Sequence, residues 1–322
     1  MQYTTLGKTN LKVSVAGLGC GGNSRIGLGA GLSEAQSVAL VQEALDLGVN
    51  FIDTAQIYGT EGLVGKAIRG RPRESVVISS KTHAHSFGDD GTMLPASAVV
   101  ANLEASLKAL GTDYIDIYHL HAVQPHLYDR VMAEIVPVLL REKAQGKFRH
   151  LAVSETAPRD PEHVMLGRAV QDPQWEVFML AFHMLNQNAR NSLLAKTLAN
   201  KVGTLCMFAV RNIFSQPGVL ERTIAELVAE GKLPAELAHG GNPLAFLVHE
   251  GGAESLIDAA YRFARHEPGI DVVLFGTSSA AHLKANIASI LRPPLPAEDV
   301  TRLYRVFGHL TGVGLDLPTR AR

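Results

Sequence analysis

The stretch VNFIDTAQIYGTEGLVGKAIRGRPRESVVISSK, residues 49–81, decides the predicted fold. It contains a short apolar run over residues 50–53, a helical pattern over residues 61–68 and a second apolar run over residues 76–80. Short apolar runs bounded by turn residues predict buried strands, and a helical pattern between two of them predicts a crossover helix. The stretch therefore predicts a β–α–β unit, whose two strands run parallel with a right-handed connection.

The same alternation continues on both sides of this stretch, nearly to the end of the chain. The predicted strands are residues 15–19, 50–53, 76–80, 115–121, 150–154, 177–182, 204–207 and 272–275. The predicted helices are residues 34–47, 61–68, 96–110, 130–144, 161–170, 190–200, 255–265 and 280–291. Ser33, with Gln36 three residues later, gives the first helix a capping box. Eight such units predict an α/β fold, the closed (β/α)8 or TIM barrel, rather than an open sheet.

Further elements are predicted at the two ends of the barrel sequence. Residues 2–6 and 11–13 flank a turn-rich segment, which predicts a β-hairpin that plugs the N-terminal end of the barrel. A proline-rich break at residues 293–296 precedes a helical pattern over residues 297–307, an extra C-terminal helix outside the barrel. Since no linker composition or second hydrophobic pattern interrupts the chain, residues 1–322 are expected to form a single barrel domain.

The bulk composition argues against several classes of protein. With 30 basic and 31 acidic residues the net charge is -1, and no basic block is present, so no nucleic-acid partner is expected. No apolar run approaches the roughly 20 residues that a membrane span needs. Two cysteines are too few for a disulfide scaffold, and the N-terminus lacks the apolar core of a signal peptide. We therefore expect a cytoplasmic protein without a membrane partner.

Four polar side chains lie at or just after the ends of the second, third and fourth predicted strands: Asp53, Tyr58, Lys81 and His121. The C-terminal ends of barrel strands converge on one face, so we expect these four to meet there. A nearby ammonium lowers the pKa of a tyrosine from its usual value of about 10, and a carboxylate keeps that ammonium charged. A histidine within reach can hold a carbonyl oxygen. The pattern predicts a site that polarises and protonates a carbonyl.

Each of these residues also has an ordinary structural explanation when it is considered singly. Asp53 could cap a turn, Lys81 could be a solvated charge and His121 could be a satisfied buried imidazole. Tyr58 could be an aromatic side chain on the rim of the barrel. Their order along the chain and their shared position at strand ends favour the functional interpretation.

Several segments of the chain resemble the aldo-keto reductases. They are residues 49–55 with Tyr58 and Gly59, residues 79–81, residues 110–121 and residues 146–154, within a likeness that extends from residue 3 to residue 286. The resemblance implies a (β/α)8 barrel that reduces aldehydes or ketones to alcohols, or runs the reverse, by hydride transfer from a nicotinamide cofactor. It implies that Tyr58 is the general acid/base, that Lys81 lowers its pKa, that Asp53 positions Lys81 and that His121 orients the carbonyl.

The resemblance also implies where the phosphates of the cofactor bind. NADPH is the expected cofactor, and NADH is the alternative, because no base stands near Ser278, where the family often has Arg or Lys for the 2′-phosphate. Lys284 and Arg211 are the nearest candidates by family position. The loop before the predicted helix at 280–291 matches the family's phosphate-contacting loop, where free N–H groups and the helix dipole favour an anion.

At the nicotinamide end of the expected site the sequence departs from the family. Ser154 matches the serine that binds the carboxamide, but Glu155 replaces the usual Asn and Met179 the usual Gln. Met207 stands where the family usually has a stacking aromatic, and Phe208 beside it is the substitute. The residues expected to contact the cofactor are Gly19, Asp53, Ser154, Glu155, Met179, Met207, Phe208, Arg211, Gly276, Thr277, Ser278, His282 and Asn286.

Residues 17–22 fit the dinucleotide-binding pattern GxGxxG, which would indicate a Rossmann fold if a helix opened there. The chain instead continues through the glycine-rich residues 23–31 before the helix starts near Ser33. We therefore interpret these glycines as a loop over the barrel mouth. Together with residues 122–128 and the long segment after Phe208, this loop is expected to shape the pocket of a small-molecule carbonyl or alcohol substrate.

Two other functions stay open from the residues alone. His119 and His121 alternate on one strand, and Lys81, His83 and His85 follow the same spacing, which suits a metal-dependent barrel hydrolase. A nicotinamide-binding sensor or regulatory subunit with little turnover is the other alternative. No metal is assigned in the preferred interpretation, and the protein is expected to be a monomer or a small homo-oligomer.

Overall fold

The computed structural model describes residues 1–86, 91–238 and 241–316. A two-stranded antiparallel hairpin comes first, formed by β1 (Tyr3–Thr5) and β2 (Lys12–Ser14). Eight parallel strands then close a barrel: β3 (Ala16–Gly19), β4 (Phe51–Asp53), β5 (Val77–Thr82), β6 (Ile115–Val123), β7 (Phe148–Glu155), β8 (Val177–Ala181), β9 (Gly203–Met207) and β10 (Val272–Phe275). Because β10 pairs with both β9 and β3, the sheet has no free edge, and the TIM barrel prediction is confirmed.

Helices connect the strands and cover the outside of the barrel. They are α1 (Glu34–Asp46), α2 (Glu61–Ile68), α3 (Ala96–Leu110), α4 (Tyr128–Arg130), α5 (Val136–Ala144), α6 (Val164–Ala169), α7 (Ala195–Ala199), α8 (Asn212–Ser215), α9 (Val219–Ala229), α10 (Leu256–Arg265), α11 (Ala280–Leu291) and α12 (Ala297–Phe307). Ser33 and Gln36 form the predicted capping box of α1. One π-helical turn, Val131–Ile135, joins α4 to α5, and another, Arg190–Leu194, precedes α7, so two predicted helices are each divided.

The hairpin of β1 and β2 plugs the N-terminal end of the barrel, as predicted. Leu6, in the turn between the two strands, is fully buried in an apolar cluster with side chains from inside the barrel. The turn approaches β9 so closely that a Cβ on Gly7 would lie 2.2 Å from the backbone nitrogen of Gly203. Gly7 also has a φ of +48°, so both its space and its conformation require glycine.

The C-terminal part of the chain covers one side of the barrel and then crosses its open end. The predicted extra helix is α12, which buries Leu303 and Phe307 against the outer core. The tail after it, residues 311–316, is anchored where the backbone N–H of Gly312 donates to Asn186. Residues 239 and 240, in the long segment after β9, lie outside the described residues.

The apolar side chains form two main layers, one inside the barrel and a larger one between the barrel and its helices. Cys20 and Cys206 are both free and fully buried. Within the ranges that the structure describes, no helix has the length and apolar character needed to cross a membrane.

Candidate active site

At the open end of the barrel, Lys81 and Asp53 form a buried ion pair. Lys81 lies on β5, is completely buried, and donates from Nζ to both carboxylate oxygens of Asp53, at 2.7 and 2.6 Å. Its third donor goes to the backbone oxygen of Thr54 at 2.8 Å, and Ser79 donates a further hydrogen bond to Asp53. All three protons of the ammonium are therefore satisfied, and its position is fixed by two strands.

Tyr58 lies over this pair, in the short turn that follows β4. Lys81 Nζ is 5.1 Å from the centre of the Tyr58 ring, and the Tyr58 hydroxyl is 3.4 Å from Nε2 of His121 on β6. The structure thus brings the four predicted residues together, although they come from three different strand ends and one loop. Two further contacts were not anticipated from sequence: Arg25 donates to the backbone oxygen of Tyr58, and Gly21 leaves room for its ring.

The charges around Tyr58 act on its pKa in opposite directions. Burial raises the pKa of Tyr58 most strongly, Lys81 lowers it as predicted, and Asp53 raises it again, so the net pKa lies above the ordinary value. Burial alone lowers the pKa of Lys81, but the contact with Asp53 outweighs it and keeps the ammonium charged. Tyr58 is therefore a protonated phenol beside a permanent positive charge.

His121 is held in the neutral form. Burial lowers the pKa of His121 well below its usual range, and the neighbouring His83 and Lys81 lower it further. The His83 and His121 rings lie 4.5 Å apart between centroids and are tilted by 32°. His119, two residues earlier on β6, is fully buried and its pKa is lowered too, first by burial. A neutral His121 can offer either a hydrogen-bond donor or an acceptor to an oxygen near Tyr58.

A cleft of about 580 Å³ opens beside Tyr58 at the C-terminal ends of the strands. The predicted residues that line it are Gly19, Asp53, Tyr58, Met179, Met207, Phe208, Arg211, Gly276, His282 and Asn286. Its wall also includes Ser24, Asn212, Phe214 and Tyr261, which sequence reasoning did not single out. These side chains follow a strand end or lie on helices, and no local sequence motif marks them as cleft residues. Only the tertiary fold brings them to the cleft.

Comparison of the sequence with known proteins identifies the family of this chain. Residues 17–306 match the Aldo/keto reductase family. The chain belongs to the aldo/keto reductase family. It is 27% identical over 297 residues to L-galactose dehydrogenase of Arabidopsis thaliana, covering 90% of this chain and 88% of that protein. It is 29% identical over 317 residues to the aldo-keto reductase YhdN of Bacillus subtilis (strain 168), covering 93% and 91%.

Solved aldo-keto reductase structures share the fold. The holo form of an aldo-keto reductase from Bacillus halodurans superimposes with a TM-score of 0.71 at 22% identity, covering 98% of this chain and 100% of that one. An aldo/keto reductase from Klebsiella pneumoniae, solved with NADP and acetate, gives a TM-score of 0.66 at 23% identity and covers 95% of each chain. Family membership makes this chain an oxidoreductase of the aldo-keto reductase type, a family that uses NAD(P)H.

The metal-dependent hydrolase alternative finds no support in this aldo-keto reductase. Across residues 1–86, 91–238 and 241–316, no group of three or more His, Cys, Asp or Glu side chains is arranged to hold a metal ion. Lys81 already donates its three protons to oxygen atoms, which leaves it no role as a bridging ligand.

The cleft has features that suit a dinucleotide. Gly19 and Gly276 form part of its wall, where a Cβ on Gly276 would meet the Ser24 hydroxyl oxygen at 3.0 Å, so Ser24 packs closely against the Gly276 backbone. The N-terminus of α11 lies beside it, and His282 and Asn286 of that helix line the cleft. Arg211 also lines it, and its Nε is buried without a hydrogen-bond partner. These groups fit a ligand with phosphates.

Several predicted cofactor contacts lie outside the lining of the cleft. The Ser154 hydroxyl accepts a hydrogen bond from the Ala122 backbone at 2.8 Å. Thr277 bonds within its own turn, and Ser279 caps α11. Ser278 lies in the same turn. Lys284 pairs with Glu43 at 2.9 Å and is 62% exposed, so it points to solvent in this arrangement.

Glu155 belongs to a buried network behind the cleft. One of its carboxylate oxygens accepts from the Ala181 backbone at 2.7 Å, and the other is 2.6 Å from Nδ1 of His163. Nε2 of His163 faces Oδ1 of Asn188 at 3.2 Å, and Asn188 is oriented by donating to Pro161. Since both ring nitrogens face acceptors, His163 is positioned as an imidazolium, and sequence reasoning did not identify it.

Proposed function

We propose that this aldo-keto reductase interconverts small carbonyl compounds and alcohols by hydride transfer, with Tyr58 as the general acid/base. The observation that carries the proposal is the stack at the base of the cleft. A fully bonded Lys81–Asp53 pair lies under the Tyr58 ring, and the Tyr58 hydroxyl faces His121. Four residues, three from strand ends and one from a loop, therefore converge where a substrate oxygen would bind.

Tyr58 supplies or removes the proton in this mechanism. A bound nicotinamide dinucleotide supplies or accepts the hydride. Because burial raises the pKa of Tyr58, the phenol is protonated at neutral pH and is ready to donate to the oxygen of a carbonyl being reduced. The Lys81 ammonium stabilises the phenolate that remains, and Asp53 holds the ammonium in place. In the direction of alcohol oxidation the same phenolate accepts the proton.

His121 orients the substrate oxygen toward Tyr58. Its neutral ring lies 3.4 Å from the Tyr58 hydroxyl and can hydrogen-bond to the same oxygen atom. A charged imidazolium would compete with Tyr58 as a proton donor, whereas a neutral ring binds without changing the proton count. The tightly packed pair of His83 and His121 restricts the ring to this orientation.

We propose that the cleft binds the cofactor. The family resemblance and the NADP-bound relative support NADPH, and NADH is the alternative. Near the nicotinamide we place Ser154, Met179, Met207 and Phe208. The phosphates and adenine would contact Arg211, the Gly276–Ser278 turn, His282 and Asn286, and Gly19 and Asp53 lie at the cleft wall. Glu155 would support the nicotinamide end of the site indirectly, through its hydrogen bonds with the Ala181 backbone and with His163.

The substrate itself is proposed only by class, a small carbonyl compound or alcohol. Because one relative is named L-galactose dehydrogenase, aldoses belong in the substrate panel beside simple aldehydes and ketones. We also propose a cytoplasmic protein that is a monomer or a small homo-oligomer.

Substituting Tyr58 with Phe tests the function. Tyr58→Phe is expected to lower kcat by at least about 100-fold, the usual contribution of a positioned general acid. Dinucleotide affinity should stay within a factor of two or three of the parent protein, because the ring and its packing remain. The matched control is Tyr3→Phe, which removes a hydroxyl from the hairpin at the opposite end of the barrel.

Turnover is measured as the consumption of reduced cofactor with a panel of aldehydes, ketones and aldoses, and affinity by calorimetry. Near-normal turnover in Tyr58→Phe would refute the assigned role. Tight binding of a dinucleotide with negligible turnover by the parent protein across the panel would instead favour a nicotinamide-binding sensor.

A further inference from the structure

The charge balance of the cleft depends on the C-terminal tail. Among the described residues that line the cleft, Arg211 and His282 are the basic side chains. The Arg211 guanidinium donates from Nη2 to the Asp316 carboxylate at 2.8 Å and also to the Asp316 backbone oxygen. Asn212 donates to the same carboxylate oxygen at 2.8 Å. The Asp316 carboxylate is therefore already paired with the Arg211 guanidinium, the cation that the cleft would otherwise offer to an anionic ligand.

Asp316 is held beside Arg211 because the segment that carries it is packed into the protein. The preceding residue, Leu315, is 5% exposed and belongs to a small apolar cluster with Ala157 and Ala181, against which Met207 and Phe208 pack. Arg211 in turn stacks over the Phe208 ring, 4.2 Å from its centre. The tail is therefore docked across the ends of β7, β8 and β9, directly beside the cleft.

Arg211 keeps unused hydrogen-bonding capacity in this arrangement. A guanidinium has five N–H donors in a planar fork, and the contacts with Asp316 come from Nη2 alone. Nε is buried without a partner, which is unusual for a charged group whose side chain is only 11% exposed. The geometry of Arg211 and Asn212 is that of an anion site, with Asp316 bound at one of its edges.

We propose that Asp316 is a built-in competitor for the phosphate of the dinucleotide that the proposed function places at Arg211, with Asn212 as a second donor of the same site. A phosphate carries more charge than a carboxylate and can take the Nε and Nη donors together, so it displaces the Asp316 side chain when it binds. Until then the carboxylate neutralises Arg211 and lowers the affinity of the cleft for phosphate. The inference rests on the proposed function, because it assumes that the cleft binds the dinucleotide.

The test is calorimetric titration of Asp316→Asn with NADPH and with NADH. We expect the variant to bind at least one of them about tenfold more tightly, the size of one charge-assisted hydrogen bond. Tightening for NADPH alone identifies the 2′-phosphate as the displacing group, and equal tightening for both cofactors identifies the pyrophosphate. In an Arg211→Gln background, Asp316→Asn should change the affinity for neither cofactor, because the guanidinium for which the carboxylate and the phosphate compete is no longer present.

The matched control is Asp129→Asn, which removes one carboxylate from an exposed pair with Arg168, and neither residue lines the cleft. It should leave both affinities unchanged. Unchanged or weaker binding of both cofactors by Asp316→Asn would overturn the proposal, because Asp316 would then hold Arg211 in place. Failure of the parent protein to bind either dinucleotide would count against the proposed function instead, so the two failures are distinguishable. Thermal melting verifies that Asp316→Asn is folded.

Discussion

Replacing a single residue of the buried Lys81–Asp53 pair is expected to affect both proton transfer and the free energy of unfolding. Both side chains are almost completely removed from solvent, so each charge depends on the other. Removing one partner of such a pair leaves an uncompensated buried charge, which costs far more than the pair itself contributes. The same contacts that prepare Tyr58 for proton transfer therefore also determine stability.

Lys81→Met is expected to lower the free energy of unfolding by about 3–5 kcal/mol, because it strands the Asp53 carboxylate. Urea denaturation followed by circular dichroism measures the loss. Lys66→Met is the control, since Lys66 pairs with Glu34 at the surface, where both side chains are about half exposed and the pair contributes under about 1 kcal/mol. Equal midpoints for the two variants would contradict the assigned burial cost.

The positions of these catalytic candidates were predictable from sequence, because strand ends are marked by local patterns and a closed barrel brings those ends together. The net pKa of Tyr58 was not, since burial outweighs the Lys81 contribution that the sequence suggests. His163 was not predictable either. It precedes α6 with a φ of +58°, and its partners Glu155 and Asn188 come from distant segments.

The helices and strands were likewise predictable where the local sequence determines them, and not where tertiary contacts do. Strand and helix order followed from hydrophobic periodicity, but the predicted helix at 161–170 starts only at Val164. There the Asp160 carboxylate accepts hydrogen bonds from the backbone of Val164 and Met165, both at 2.8 Å. A carboxylate that binds free N–H groups fixes a helix start, and no hydrophobic pattern reveals which nearby acidic residue does so.

The hairpin of β1 and β2 is an element whose contribution can be separated from catalysis. Leu6→Ala is expected to lower the free energy of unfolding by about 2–5 kcal/mol, because it empties a buried site at the closed end of the barrel. Turnover by the folded fraction should be unchanged, since the cleft lies at the opposite end. Chemical denaturation and steady-state kinetics measure the two effects.

The control for this change is Leu47→Ala, at a leucine that is 38% exposed and should cost much less. A loss of turnover in Leu6→Ala at a temperature where the protein is fully folded would mean that the hairpin influences the cleft, contrary to this expectation.

At the scale of the whole molecule, the His163 network links stability to pH. Burial alone lowers the pKa of His163, but the Glu155 carboxylate and the Asn188 contact outweigh it and raise the pKa above its usual 6.5. A raised folded-state pKa stabilises the protein fully below the unfolded value and loses that effect as pH rises through the folded value. The contribution of His163 should therefore decline from slightly acid to alkaline pH.

His163→Gln is expected to destabilise the protein most at slightly acid pH, and the difference from the parent protein should shrink as the pH rises into the alkaline range. Urea denaturation at a series of pH values measures it, and the exposed His126 provides the control variant His126→Gln. A stability difference that is independent of pH would show that His163 acts through packing and not through its charge.

The complete burial of Cys20 and Cys206 has a practical consequence for following the protein in solution. Neither thiol is accessible to a maleimide, and burial raises the pKa of both far above neutral, which suppresses the reactive thiolate. A cysteine introduced at the exposed Thr311 would therefore take up a dye selectively. An environment-sensitive fluorophore at that site would report the position of the C-terminal segment in real time, in an otherwise unaltered chain.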